Sequence, residues 1–202
     1  MNEDMMSPEN TTEFPRQEAA KWLRCLLYIH IASLAVSLLS LLPVADQVFG
    51  WIQRILVIGS ALCLSQLSFA GERYRKAAIF KIIYAAGLLI TSLFFASTAI
   101  SLAASVCSLI AIYQEYSAHS ELISGADPAL SRKWHSLFTW SILAALLVGF
   151  GSMVLSVVAA MSGMDITALV GIVMVILSLP DMIVELFYLL YLNRTIHLLP
   201  EE

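Results

Sequence analysis

Two carboxylates lie near the middle of the last long apolar run of the chain. Asp181 and Glu185 follow Pro180 in the stretch 166–193, which contains no other acidic residue. They are four residues apart and therefore share one face of a helix, which should kink at the proline. Neighbouring carboxylates repel when both are ionised, and charge is costly inside a membrane. The pair is therefore a candidate site for a proton, a cation or a cationic solute.

Two basic side chains in other apolar runs are candidate partners for these acids. In a six-span arrangement, His30 and Glu185 both lie about 12 Å from the same membrane edge, at 1.5 Å per helical residue, so we expect them to meet. Arg54 either reaches Asp181 or extends outward towards Asp46. A buried charge pair, coupling to a proton or cation, and a wet crevice without a specific role are the three interpretations.

A second polar group follows the third apolar run. Glu115 and His119 are four residues apart, and Glu121, Asp127 and His135 follow them. A spacing of four can present two metal ligands on one helical face, so a metal or catalytic site is one interpretation. No HExxH motif or catalytic cysteine accompanies these residues, and a solvated loop is the simpler interpretation. The sequence therefore predicts no cofactor and no enzyme activity, with an intramembrane enzyme as the least favoured alternative.

The distribution of charge predicts a polytopic membrane protein. Of 202 residues, 59% are hydrophobic and 13% are charged, whereas a soluble domain carries about 25% charged residues. The basic residues are clustered between long apolar runs and form no continuous patch for nucleic acid, so no nucleic-acid partner is expected. The expected partners are the lipid bilayer and, in one interpretation, another membrane subunit. A small-molecule ligand cannot be named from the sequence.

The number of spans depends on the uncharged run from Ile82 to Tyr113. As one helix its 32 residues would be about 48 Å long, too long for a hydrocarbon core of about 30 Å. No turn residue marks a break near Ala96 to Ala99, so five spans are the alternative. Six spans place every Lys and Arg except Arg54 on the cytoplasmic side, with both termini inside. We therefore predict an all-α bundle with spans at about 22–43, 48–70, 77–95, 98–115, 135–161 and 166–193.

The segments outside these spans have their own expected structures. Residues 1–15 are predicted to be a disordered acidic cytoplasmic tail, and residues 16–202 one membrane domain. Gly71 to Lys81 is expected to be a basic, helical connector at the headgroups. Glu115 to Trp134 is expected to be the largest cytoplasmic loop, with a short interfacial helix over Ala129 to His135. Interfacial positions are expected for the four tryptophans, Trp22, Trp51, Trp134 and Trp140. The three widely spaced cysteines indicate no disulfide framework.

One segment carries a resemblance to known proteins. Residues 113–138 contain YQEYSAHSEL, followed by LSRKW and LF. The segment resembles one in small multi-pass proteins of anaerobic Gram-positive bacteria that have no assigned activity. The resemblance implies a bacterial plasma membrane location and brings no catalytic residue with it. In size and span number the chain is also similar to the substrate-binding subunits of energy-coupling-factor vitamin transporters, without a shared motif.

These observations lead to an expected class of function. We expect a non-enzymatic accessory subunit or a small permease-like component. The alternative is proton- or cation-coupled transport of a small solute, or a substrate-binding transporter subunit, that uses Asp181 and Glu185.

Overall fold

A computed structural model of the chain describes residues 10–40, 46–93, 97–162 and 167–199. These residues form helices and turns, with no strand among them. The six α-helices are α1 (Asn10–Leu39), α2 (Asp46–Gln66), α3 (Glu72–Leu93), α4 (Thr98–Ile123), α5 (Pro128–Ser162) and α6 (Thr167–His197). A short 3-10 helix, Leu67–Ala70, follows α2. All six α-helices are long and apolar enough to cross a membrane. The protein is an all-α multi-pass membrane protein, and the predicted six-span bundle is confirmed.

The third apolar run is divided into two helices. The helix α3 ends at Leu93 and α4 begins at Thr98, so the five-span alternative is wrong. Residues 94–96, where sequence offered no turn signal, lie outside the described residues. The two helices pack closely, because a Cβ on Gly87 would lie 2.8 Å from the Cβ of Ala104. Glycine at this position allows the backbones to approach, as small residues do between membrane helices.

The helices form a ring in chain order. Each α-helix packs against the next, and α1 packs against α6, which closes the ring. The buried apolar residues are concentrated at the end that holds the starts of α1, α3 and α5. They include Leu23 and Leu26 of α1, Leu64 of α2 and Leu192 of α6. We call this end the basic end, because the clustered Lys and Arg residues lie there.

The basic end holds both ends of the described chain. Arg16, Leu199 and the turn between α4 and α5 line one hollow. This arrangement follows from an even number of spans. Nearby, the sulfur atoms of Cys25 and Cys63 lie 3.3 Å apart, a contact that their wide spacing in the sequence does not predict. The opposite ends of the hairpins, residues 41–45, 94–96 and 163–166, lie outside the described residues.

Four predicted local features differ from the structure. The expected basic connector is helical, as predicted, but it is the first part of α3, which begins at Glu72. The expected loop from Glu115 to Trp134 is mostly helix, and only residues 124–127 separate α4 from α5. The expected interfacial helix after Pro128 is the start of the continuous α5. The helix α1 also begins at Asn10, inside the expected tail. In the first three cases the helix continues beyond the membrane edge because tertiary contacts cover its polar end.

Asp127 holds the turn between α4 and α5. Its Oδ1 accepts a hydrogen bond from the Leu130 backbone N–H at 2.9 Å, and its Oδ2 accepts one from Arg194 Nη2 at 3.1 Å. The first contact is the N-cap of α5, which has Pro128 as its first residue. The Leu130 hydrogen bond, together with the Arg194 charge, lowers the pKa of Asp127 below its usual value.

We predict that Asp127→Ala lowers the melting temperature in mild detergent by a few degrees at pH 7, because the cap is lost. A lowered folded-state pKa stabilises the fold above the unfolded pKa, and this contribution is lost as pH falls through the folded pKa. The difference between wild type and variant should therefore shrink below about pH 4. Asp127→Ser is the control, since it keeps a capping oxygen. A pH-independent difference would contradict this role.

Candidate functional site

The predicted meeting of α1 and α6 is present in the structure. His30 Nδ1 lies 2.7 Å from Glu185 Oε1, so the two side chains form an ion pair when the imidazole is protonated. The His30 ring also stacks near the ring of Tyr188, with centroids 4.3 Å apart. Both contacts exist because α1 and α6 are neighbours in the ring.

Glu115 joins this pair from α4. Its Oε2 accepts a hydrogen bond from Lys81 Nζ at 2.8 Å, and its Oε1 accepts one from the Tyr188 hydroxyl at 2.6 Å. His30 Nε2 lies 3.8 Å from the same Oε1. The Glu115 side chain is only 2% exposed. A buried carboxylate needs such partners, because desolvation without them is very costly.

His119 extends the network towards the basic end. Its Nδ1 lies 2.9 Å from the Tyr74 hydroxyl, and its ring lies 4.7 Å from the ring of Trp134. Tyr188 Oη is 3.5 Å from His119 Nε2. We refer to the seven connected side chains as the buried polar cluster: His30, Tyr74, Lys81, Glu115, His119, Glu185 and Tyr188. They come from α1, α3, α4 and α6, so the cluster ties four of the six helices together.

The charges in the buried polar cluster do not balance when both histidines are neutral. Two carboxylates, Glu115 and Glu185, then face one ammonium group, that of Lys81. The cluster is neutral when it holds one more proton, and His30 is the site in contact with both acids. Such an unbalanced charge is costly wherever the surroundings have a low dielectric constant.

The exposed fraction of the side chain decreases from Asp181 on α6 to His119 on α4. Asp181 is exposed, and the Glu185 and His30 side chains are 29% and 16% exposed. Glu115 is 2% exposed and His119 is fully buried. Asp181 precedes Glu185 by one turn on the same face of α6. The cluster is therefore partly exposed at Glu185 and His30 and buried at Glu115 and His119.

Polar side chains lead to His30 from a second direction, between α1 and α2, in addition to Asp181 and Glu185 on α6. Gln53 Nε2 donates hydrogen bonds to Ser33 Oγ at 2.9 Å and Ser37 Oγ at 3.0 Å. Nearer the basic end is a cavity of about 70 Å³, whose lining includes His30, Ser33, Ser60 and Lys81. This volume is enough for about two water molecules. His30 Nε2 and Gln53 Oε1 are buried without a hydrogen-bond partner among the described residues.

The remaining sequence candidates lie outside the cluster. The Arg54 guanidinium lies 4.7 Å from the Trp51 ring centroid. It forms no ion pair with Asp181, so the alternative in which Arg54 reaches Asp181 is not what the structure shows. The Asp46 side chain, its other expected partner, lies outside the described residues. Glu121 pairs with Arg73 at the surface of the basic end. Pro180 lies within α6 and lines a groove between α5 and α6.

The structure overturns the interpretation of Glu115 and His119 as solvated loop residues. Their spacing of four was visible in the sequence, but their burial was not, because it depends on α4 continuing to Ile123. Sequence reasoning also missed Lys81, Tyr74 and Tyr188. Tyr188 had a usable signal: it lies three residues after Glu185, and so on the same helical face.

No three His, Cys, Asp or Glu side chains in the described part of the chain are arranged to hold a metal ion. Comparisons with models of protein families, with curated proteins and with solved structures found no match.

Proposed function

We propose that this multi-pass membrane protein is a small permease-like component that takes up and releases a proton at the buried polar cluster. The observation that carries the proposal is the 2.7 Å contact between His30 and Glu185 beside the buried Glu115. Imidazoles and carboxylates at membrane depth are the groups that relay protons in pumps and transporters. Proton-coupled movement of a small solute is the activity that this arrangement supports best. We place it in a bacterial plasma membrane.

The charge balance of the cluster supports proton exchange. A proton on the pair formed by His30 and Glu185 neutralises the cluster, and its release leaves one net negative charge. That charge is costly in the bundle interior and weakens the attraction between α1 and α6, the contact that closes the ring. Protonation is thus linked to helix packing, which is the linkage that coupled transport requires.

The two routes to His30 support access from outside the bundle. Asp181 leads to Glu185 on α6, and Gln53 with its serine partners leads through the small cavity to His30. From there a contact of 3.8 Å leads to Glu115, and the Tyr188 hydroxyl connects Glu115 to His119, which contacts Tyr74 near the basic end. The basic end faces the cytoplasm under the rule that Lys and Arg concentrate on that side.

The test uses purified protein reconstituted in vesicles that contain a pH-sensitive dye. With an imposed pH gradient, wild-type vesicles should change internal pH faster than empty vesicles, and a panel of small solutes should alter that rate when the coupled one is present. Glu185→Gln should reduce the protein-dependent rate at least tenfold. Removing this carboxylate leaves His30 without its closest acid partner.

Glu121→Gln is the matched control, because it also removes one acid, but from a surface pair. It should keep the wild-type rate. A wild-type rate equal to that of empty vesicles under every solute, or equal rates for Glu185→Gln and wild type, would contradict the proposal. The cluster would then serve only to hold the helices together, as expected of an accessory subunit.

A further inference from the structure

A groove runs between α5 and α6 on the outside of the ring. Its volume is about 630 Å³, in the range of sites that bind small molecules. Lys133 and Tyr191 lie at one mouth, Trp140 and Leu147 along α5, and Pro180 and Phe187 along α6. The lining is apolar except near the mouth. None of these residues belongs to the buried polar cluster, so the groove is a separate feature of the molecule.

The length of the groove matches one leaflet of a bilayer. Leu147 lies fourteen positions after Lys133 on the α5 wall, or about 21 Å along the helix at 1.5 Å per residue. Half of a hydrocarbon core is about 15 Å, and a headgroup region adds several ångströms. Lys133 lies near the basic end, so the groove begins at the headgroups of the leaflet on that side and ends near the bilayer middle.

The mouth of the groove carries positive charge. Lys133 is exposed, and its Nζ lies 6.0 Å from the Tyr191 ring centroid. Arg194, three residues after Tyr191 on α6, is paired with Asp127, so Lys133 is the cation that the groove lining offers. A cationic mouth above an apolar slot is complementary to a lipid that has an anionic headgroup and a hydrocarbon tail.

The lining residues disfavour a partner helix as the occupant. Helices associate in membranes through small residues that let backbones approach closely. This groove presents large side chains, Trp140, Leu147 and Phe187, along most of its length. A flexible acyl chain fills a slot between such side chains, whereas a helix would rest on top of them.

We propose that the groove between α5 and α6 binds a phospholipid with an anionic headgroup, its phosphate at Lys133 and one acyl chain along Trp140 and Leu147. Pro180 lies in the α6 wall of this slot.

The test measures binding of phosphatidylglycerol and of phosphatidylcholine to the full chain in mild detergent, by native mass spectrometry and by thermal shift. Wild type should retain phosphatidylglycerol and be stabilised by it more than by phosphatidylcholine. Lys133→Gln should lose about fivefold in affinity for phosphatidylglycerol, the size expected for one basic residue at an anionic headgroup. Leu147→Trp, which fills the slot, should lose binding of both lipids.

Each variant has a control on a neighbouring residue outside the groove. Arg132→Gln removes an equal charge and should keep the preference for phosphatidylglycerol. Leu146→Trp adds an equal bulk on an exposed face and should keep both lipids. Equal stabilisation of wild type by both lipids, equal losses in Lys133→Gln and Arg132→Gln, or a protein dimer without bound lipid would overturn the proposal.

Discussion

Glu115→Gln is expected to destabilise the protein by about 3–5 kcal/mol, which is the usual cost of breaking a buried ion pair. Lys81 Nζ lies 2.8 Å from Glu115 Oε2 and is largely buried, so the substitution leaves an ammonium group without its counter-charge. Tyr188 keeps a hydrogen-bond acceptor in the glutamine amide, and the loss is therefore mainly electrostatic. Thermal unfolding in mild detergent, followed by circular dichroism, measures the change.

Two variants separate this effect from a general sensitivity to substitution. Glu121→Gln should cost about 1 kcal/mol or less, because the pair that Glu121 forms with Arg73 is exposed. The double variant with Lys81→Met and Glu115→Gln should recover much of the loss, since it removes both charges together. Equal stability of Glu115→Gln and Glu121→Gln would show that Glu115 does not hold a buried pair.

Trp134→Ala is expected to cost about 3–5 kcal/mol, the range for truncating a buried aromatic side chain. Trp134 is fully buried, and its Nε1 donates a hydrogen bond to Thr195 Oγ1 at 3.2 Å. Its ring lies 4.7 Å from His119 and 5.4 Å from Tyr188, measured between centroids. The substitution therefore leaves a cavity beside the polar cluster and unpacks α5 from α6. Unfolding in mild detergent measures the loss.

Trp140→Ala provides the comparison on the same helix. The Trp140 side chain is 61% exposed, so its removal should cost about 1 kcal/mol or less. If the two tryptophan variants lose the same stability, Trp134 is an interfacial residue, as its sequence position indicated, and the core assignment fails.

Most of the architecture was accessible from the sequence. Clustered Lys and Arg residues predicted six spans even though no turn residue divides the run from Ile82 to Tyr113, because charge has a preferred membrane side. The meeting of His30 and Glu185 was also predictable, because both depths could be counted from the same membrane edge.

The centre of the candidate site was not predictable in the same way. The sequence places Glu115 and His119 in a loop, because a span that is found by counting apolar residues ends at the first charged residue. Burial of that charge depends on Lys81 and Tyr188, which come from two other helices. Asp181 was the strongest candidate in the sequence, but it lies at the exposed side of the site. Neighbouring helices bury α6 only closer to its C-terminal end.

The closed ring has a consequence for how the protein is made. The helix pair that completes it joins residues 155 positions apart, His30 and Glu185, while the other main packing contacts lie between consecutive helices. During synthesis the earlier hairpins can insert and pair one after another, and Lys81 can meet Glu115 as soon as α3 and α4 pack together. His30 lacks Glu185, and Glu115 lacks the Tyr188 hydroxyl, until the final helix has been made. A chain truncated before α6 therefore loses both of these contacts and cannot close the ring.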